Sequence, residues 1–462
     1  MLMHGKLERK YGLFTAICMV VGIVIGSGVF FKAQDILTKT GGDMPMGIIA
    51  WIVGGLVMLS CVLVFATMAQ KYEKVNGVVD YAEATLGKTY AYYTGWFLTT
   101  FYYPTLVMAL AWLSARYTLV FITSVNPDFP MLISEVTISP ECMVLAFFYL
   151  ILAFAINALS PKLAGKLQVS ATIIKLIPLL LMAVVGIAYG IATGGLSNNF
   201  TTVAVVKDVA TNPFLASVCA TAFAYEGWII ATSINAELKD SKRNLPIALI
   251  SGSIIIIAVY VFYYIGVAGG ATNQELIDKG ATVAFTNIFG NVFGNILNLF
   301  VAVSCLGTLN GLMLGCSRGI FSLATRNEGP ASKTFGEVSP STNMAGNSAI
   351  FGLILCAMWL LLFFFSNLAE TFGGKFAFDP TELPILTMYA LYIPIFISWM
   401  KKAKELNALR RFILPAIAVV ASLFMIYATV LAHGISCVWY LIVFFIVMLI
   451  GKFFKDPKNK QQ

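Results

Sequence analysis

Two polar interruptions of apolar segments hold the residues best suited to bind a small molecule. The first contains Gly26, Ser27 and Gly28, and the second is the sequence FAYEGW at residues 223–228. If a membrane helix unwinds at such a point, its backbone N–H and C=O groups lose their partners, which is tolerable only where the backbone lines a polar cavity. Glycine also allows a ligand to come close to the backbone. Both interruptions therefore predict broken helices around a polar site.

An unwound backbone would offer donors and acceptors at the same place. The N–H groups of Ser27, Gly28 and Val29 could bind a carboxylate, helped by the positive end of the half-helix that follows. Freed carbonyls could bind an ammonium, and the candidates are those of Val24, Ile25, Phe223 and Ala224. A backbone with both functions is suited to an α-amino acid. The alternative is that Gly22, Gly26 and Gly28 form a close-packing face for another helix.

The second interruption adds Tyr225, Glu226 and Gly227 to the candidate site. Glu226 is an ionisable residue within an apolar segment, which is costly and typical of a functional position. It could bind the amine or side chain of a substrate, or accept a proton. It could also merely cap the second half of its helix, because an acid is favoured at a helix N-terminus.

Lys175, in the apolar sequence SATIIKLIPLL, is the other charge deep in a segment. It should face the interior and be held by carbonyls or hydroxyls, or lose its proton. Its ammonium could replace a sodium ion, carry a proton, or only tether helices, and in each case we do not expect sodium coupling. Ser304 and Thr308 share one helix face and could hold this ammonium, although such hydroxyls also bond back to their own helix.

The composition shows what kind of elements must position these residues. Of 462 residues, 59% are hydrophobic and 11% are charged, which is typical of a polytopic membrane protein and not of a soluble enzyme. Runs of about 20 apolar residues are long enough to cross a bilayer as helices. They predict an all-α fold of about twelve spans, numbered 1 to 12 in chain order, near 11–32, 46–70, 90–123, 141–159, 164–191, 213–236, 246–270, 294–325, 347–366, 384–400, 412–432 and 435–453.

The net charge of +8 reports topology and not a nucleic-acid partner, because the basic residues concentrate in alternate loops. By the positive-inside rule, both termini are expected in the cytoplasm. The two histidines, His4 and His433, lie outside the centres of the spans, so we expect no histidine-based triad or metal cluster in the membrane. The eight cysteines form no CxxC and fit small core residues, so neither metal sites nor cofactors are expected.

Spans 1–5 and 6–10 have the same layout, with an interrupted first helix and a long third helix. Because five is odd, the second set enters the membrane from the opposite side, so the repeat is inverted, which is typical of transporters with paired broken helices. This predicts a first repeat at 1–200, a second at 201–402, and spans 11 and 12 with the C-terminus at 403–462.

The motifs resemble those of the L-type amino acid transporter family, within the amino acid, polyamine and organocation superfamily that has the LeuT-like fold. The resemblance covers nearly the whole chain and suggests a bacterial-type member. It depends on VIGSGVFF with TGG, FAYEGW followed by ELKDSKRNLPIA, QVSATIIKL, and CLGTLNG with SRGIFSLATRNEGP.

The resemblance implies sodium-independent exchange of amino acids across the plasma membrane by alternating access. The backbone of Gly26 to Gly28 would bind the substrate carboxylate, and Phe223 would be the aromatic gate over the site. Lys175 would link helix 1 to span 8 through Ser304 or Thr308. Tyr260 would contact helix 1.

We therefore expect an antiporter of small neutral L-amino acids, with substrate and membrane lipid as its only partners. Glu226 departs from the glycine common in neutral-substrate relatives, so a proton-coupled permease, or one that accepts cationic amino acids through Glu226, is the alternative. A sensor that binds without transport is a further alternative. The loop after span 3 lacks the cysteine that eukaryotic relatives use for a disulfide-linked heavy chain, so no such partner is expected.

Overall fold

Helices make up nearly all of the structure, because a segment in lipid must satisfy its own backbone polar groups. The computed structural model describes residues 3–4, 9, 11–26, 28–72, 77–133, 135–206, 211–369 and 378–455. Within these residues, eleven helices are long and apolar enough to cross a membrane, or twelve if a bent pair at the N-terminus counts as one span. The expected all-α, polytopic fold class is therefore confirmed.

Spans 1 and 6 are each built from two pieces, as the polar interruptions predict. Span 1 consists of Leu13–Val24 and Gly28–Lys39, which are bent by 40° relative to each other. Span 6 begins as an α-helix, Pro213–Ala224, and continues after the break as a 3₁₀-helix, Trp228–Glu237. The other ten spans are Met44–Lys71, Lys88–Val125, Pro140–Leu159, Lys162–Thr193, Ser241–Gly270, Asn291–Ala324, Gly346–Leu368, Leu383–Lys402, Leu409–His433 and Ser436–Phe453.

Shorter elements connect the spans. The helices outside the membrane spans are Gly77–Leu86, Gly195–Thr201, Asn273–Lys279, Ala281–Phe289 and Ser332–Phe335, with a 3₁₀ turn at Val136–Ile138. The strand Met3–His4 pairs antiparallel with Glu337–Val338. The N-terminal segment also returns to the end of span 6, where the Tyr11 N–H donates to the Glu237 carbonyl.

Corresponding spans of the two halves pack against each other around the breaks. Span 2 lies along span 7, span 3 lies along span 8, and the second half of span 1 contacts the first half of span 6. Span 6 is the most enclosed, since 89% of an 18-residue apolar stretch is buried, against 17% in span 12. This pairing is what an inverted repeat produces, whereas the boundaries at 200 and 402 stay a prediction.

Candidate functional site

Close packing explains the glycine at the start of the second half of span 1. A Cβ added at Gly28 would lie 2.8 Å from the Cα of Ala224, which is shorter than any normal contact. Only a residue without a side chain lets this half-helix approach the first half of span 6 so closely. Ser27 lies outside the described residues, so its expected contribution stays a prediction.

Glycine is required at the break of span 6 for a different reason. Gly227 adopts a φ of +101°, a left-handed conformation that other residues adopt at a cost. A Cβ there would also meet the side chain of Ile23 at 2.9 Å. Gly227 therefore turns the chain between the α-helical and 3₁₀ halves and sets this break directly against span 1.

The Lys175 ammonium satisfies the carbonyl groups that the break in span 1 exposes. Its Nζ donates to the carbonyl oxygens of Gly22 at 2.7 Å and Ile25 at 2.6 Å, and to the hydroxyl of Thr308 at 3.1 Å. The side chain is fully buried. The ammonium thus joins spans 1, 5 and 8 at the break.

Two hydroxyls of span 8 add to this network. The Thr308 Oγ1 lies 3.1 Å from each of the two carbonyls that Lys175 contacts. One turn earlier, Ser304 donates to the Gly26 carbonyl at 3.2 Å. Of the two hydroxyls, Thr308 is therefore the one that contacts Lys175. Ser304 bonds to span 1 without contacting the ammonium.

Tyr260 of span 7 connects the two breaks directly. Its hydroxyl lies 3.0 Å from the carbonyl oxygen of Val24 and 2.9 Å from that of Ala224. Each of these two residues is the last residue of the first half of its span. One hydroxyl therefore links the C-terminal ends of two half-helices.

A small cavity lies between the breaks and brings together many of the expected residues. Its volume is about 20 Å³, room for about one water molecule, so an amino acid enters only if the walls move apart. The expected residues that line it are Val24, Gly26, Gly28, Phe223, Glu226, Gly227 and Thr308.

Four expected substrate-binding residues do not line this cavity: Ile25, Val29, Ala224 and Tyr225. The Ile25 carbonyl already accepts from Lys175, and it shares the single hydroxyl proton of Thr308 with the Gly22 carbonyl. The Tyr225 hydroxyl points to span 2, where it donates to the Trp51 carbonyl at 2.8 Å. The side chains of these residues therefore serve packing in this conformation.

The apolar walls of the cavity were missed by sequence reasoning. Ile23 of span 1, Leu106 and Leu110 of span 3, and Leu312 of span 8 all line it. Leu106 and Leu110 are four residues apart, as are Thr308 and Leu312, so each pair shares a helix face. The four-residue spacing of Leu312 from Thr308 could have placed Leu312 at the site. The two leucines of span 3 resemble any other apolar pair, so nothing in the sequence was a reason to choose them.

Glu226 is held from span 3, by a partner that the sequence did not indicate. The Tyr102 hydroxyl donates to the Glu226 carboxylate, and both side chains are buried. Tyr102 ends a π-helical turn, Leu98–Tyr102, and such turns are frequent at functional sites. The carboxylate is thereby held beside the cavity by a side chain of span 3.

Phe223 separates the central cavity from a larger one, which we name the outer vestibule. This vestibule has a volume of about 430 Å³ and is lined by residues that include Phe31, Lys32, Phe223, Asp379 and Thr381. Phe223 lines both spaces and therefore lies at the boundary between them. That position is the one a gate would occupy.

Buried ion pairs lie on either side of the cavity. On the vestibule side, the Lys32 ammonium pairs with Glu382 at the start of span 10. On the side of the N-terminus, Arg318 of span 8 pairs with Glu237 at the end of span 6. Each ion pair thus ties together elements that flank the central cavity.

The expectation that no histidine-based metal cluster is available in the membrane overlooked one group of side chains at the end of span 11. His433 lies at the end of span 11, and its Nε2 is 2.8 Å from Glu382 Oε2. Cys219 of span 6 completes a group whose three ligand atoms lie within 4.8 Å of one another. Sequence reasoning missed the group because its members are far apart in the chain and only the helix packing brings them together.

Comparison with known proteins shows the family to which the chain belongs. Residues 11–452 match the family described as Amino acid permease. The chain belongs to this family. It is therefore an amino acid transporter and not an enzyme, and the resemblance found from the motifs is confirmed.

Individual relatives share the fold at low sequence identity. The Serine/threonine exchanger SteT of Bacillus subtilis is 26% identical over 446 residues, covering 93% of each chain. The human Large neutral amino acids transporter small subunit 2 is 27% identical over 335 residues, covering 70% of this chain and 59% of that protein. A crystal structure of MhsT in complex with L-phenylalanine has a TM-score of 0.59 at 12% identity. The matched region covers 95% of this chain and 99% of the MhsT chain. This structural likeness shows the fold alone.

Substitution of Lys175 by methionine should lower amino acid flux at least about tenfold, since each bond to a charged donor contributes about 1.5–3 kcal/mol. Methionine keeps the length of the side chain but leaves the carbonyls of Gly22 and Ile25 without this partner. Flux into liposomes measures the effect. Lys166→Met, at an exposed position on the same span, is the matched control, and equal flux in both variants would contradict the assigned role.

Proposed function

We propose that this transporter exchanges small neutral L-amino acids across the plasma membrane, independently of sodium and by alternating access. Both termini lie in the cytoplasm, as the distribution of basic residues supports. The observation that carries the proposal is the pair of facing breaks in spans 1 and 6, which line one central cavity beside a buried ammonium.

The substrate's carboxylate binds at the first turn of the half-helix Gly28–Lys39. The first N–H groups of a helix have no intrahelical partner, and the helix dipole favours an anion there. Gly28 lines the cavity and presents no side chain that would block access. The substrate's ammonium binds on the opposite side, at the carbonyl end of Leu13–Val24, where the Val24 carbonyl has one lone pair left beside the Tyr260 bond.

Sodium independence follows from the position of Lys175. Its ammonium is surrounded by two carbonyl oxygens and one hydroxyl at 2.6–3.1 Å. Oxygen atoms of this kind are the ligands that an alkali cation would require at the unwound segment. The covalently attached charge fills that place permanently, so no dissolved cation is needed to organise the break.

The small apolar walls support a small neutral side chain on the substrate. Leu106, Leu110 and Leu312 leave little room and offer no charged partner. The name of one relative, a serine/threonine exchanger, agrees with a small neutral substrate, whereas that of another, a large neutral amino acids transporter subunit, agrees with a neutral substrate only. The first name also describes an exchanger, which agrees with the proposed exchange mechanism.

The direct experiment is the flux of radiolabelled serine into liposomes that contain the purified protein. We expect uptake only when unlabelled amino acid is present inside, with no dependence on sodium or on an imposed pH gradient. Uptake into empty liposomes that rises with external acidity would contradict exchange and identify a proton-driven permease.

A second candidate is transport of cationic amino acids, which the position of Glu226 favours because its carboxylate lines the cavity. Competition separates the two candidates. If the substrates are neutral, unlabelled lysine should not displace labelled serine. If lysine competes, and Glu226→Gln removes that competition while serine still displaces itself, the cationic candidate is correct.

Phe223→Ala should reduce exchange by about tenfold or more, because burial of a phenylalanine side chain contributes about 1.5–3 kcal/mol to the closed state. Without the ring, the central cavity joins the outer vestibule and the substrate is no longer enclosed. Serine exchange in liposomes measures this. Phe262→Ala, which removes an exposed ring on span 7, is the control. Exchange at the native rate in Phe223→Ala would refute the gate.

A further inference from the structure

Three side chains that the transport cycle above does not use meet beside the outer vestibule. They are Cys219 in the first half of span 6, Glu382 immediately before span 10, and His433 at the end of span 11. The Cys219 thiol lies 3.9 Å from Glu382 Oε2, and the His433 Nε2 lies 2.8 Å from the same oxygen. One carboxylate oxygen thus forms the centre of the group.

The three groups have the chemistry of a zinc site. Zinc prefers thiolate, imidazole and carboxylate ligands in tetrahedral geometry at about 2.0–2.3 Å, which places ligand atoms about 3.3–3.6 Å apart. The two measured separations, 3.9 and 2.8 Å, bracket this spacing. The third pair, Cys219 Sγ and His433 Nε2, lies within 4.8 Å, so shifts of about 1 Å bring the three atoms to zinc distance. Calcium and magnesium prefer oxygen ligands throughout, so a site with one sulfur and one nitrogen disfavours them.

The surroundings prepare the site and leave an entry path. Cys219 and Glu382 are buried, whereas the His433 side chain is 16% exposed. The Lys32 ammonium pairs with the other oxygen, Oε1 of Glu382, so Oε2 is the atom that faces the cluster. The outer vestibule reaches Lys32 and Thr381, next to Glu382, which gives an ion a route from that face.

We propose that the transporter binds a zinc ion through Cys219 Sγ, Glu382 Oε2 and His433 Nε2, with water as the fourth ligand. Zinc binds the thiolate and the unprotonated imidazole nitrogen, so binding releases the thiol proton of Cys219 to solvent. It also displaces the Nε2 proton that His433 donates to Glu382, either to solvent or to Nδ1. No electron transfer is involved.

Bound zinc would restrain the gate. Cys219 lies four residues before Phe223, one turn away on the same helix face. A metal bridge would therefore fix the first half of span 6 to spans 10 and 11. Zinc added on the vestibule side slows exchange as a consequence. This consequence depends on the proposed function, whereas the binding does not.

The test measures zinc binding to the purified full-length protein by competition with a chromophoric chelator. We expect a single zinc ion per chain. Cys219→Ser and His433→Asn should each weaken the affinity by about tenfold or more, since even loss of a group that only supports a ligand costs about 10–100-fold. Cadmium should give a thiolate-to-metal absorption band in the native protein that Cys219→Ser abolishes.

Two control variants make the result specific. Cys437→Ser removes a buried cysteine at the same end of the molecule that is not part of the cluster, and His4→Asn removes the only other histidine. Both should retain native zinc affinity. The proposal is overturned if the native protein binds no zinc, or if Cys219→Ser and His433→Asn bind it as the native protein does. Because binding is read without flux, failure of the exchange proposal would leave this outcome unaffected.

Discussion

A helix that stops half-way through a membrane leaves carbonyl groups without partners, and in span 1 the Lys175 ammonium satisfies them. A buried lysine and an interrupted helix are each costly in lipid. Here each compensates for the other, because the ammonium donates to the carbonyls of Gly22 and Ile25. The break is thus a defined structure with its first half anchored to spans 5 and 8, and the start of its second half stays available for a ligand.

The remaining polar contacts extend this anchoring to span 6. The Tyr260 hydroxyl contacts both helix ends, and the absence of a side chain at Gly28 lets the two half-helices touch. Because span 6 is coupled to span 1 in this way, movement of one half-helix must affect the other. Phe223 lies one residue before Ala224, so this coupling reaches the ring that separates the cavity from the outer vestibule.

The parts of the site that could be predicted from the sequence are those that violate the rules for a membrane helix. The series of glycines in span 1, the lysine in SATIIKLIPLL and the polar residues of FAYEGW each destabilise a membrane helix. A feature that breaks a local rule in this way is expected at a functional site. Leu106 and Leu110 follow the rules, so nothing in the sequence separates them from lipid-facing leucines. Tyr102, which holds Glu226, was equally hidden, because its role depends on how span 3 packs against span 6.

The fold was predictable because the length of apolar runs decides the number of spans. In contrast, the clustering of Cys219, Glu382 and His433 was not predictable. Their contact depends on the packing of three helix ends that are distant in the sequence. Local patterns such as a heptad or a CxxC carry no information about such a group. Similarly, the hydrogen bonds that the Ile25 carbonyl accepts come from spans 5 and 8 and not from its own segment.

The central claim is that the broken backbone binds the two charged groups of an α-amino acid. Calorimetric titration of the purified protein with L-serine, its methyl ester and its N-acetyl derivative tests this directly. The account predicts that both derivatives bind at least about fivefold more weakly than serine, since each leaves a buried polar group unpaired at a cost of about 1–3 kcal/mol. If either derivative bound as tightly as serine, the backbone at the breaks would not be the recognition element.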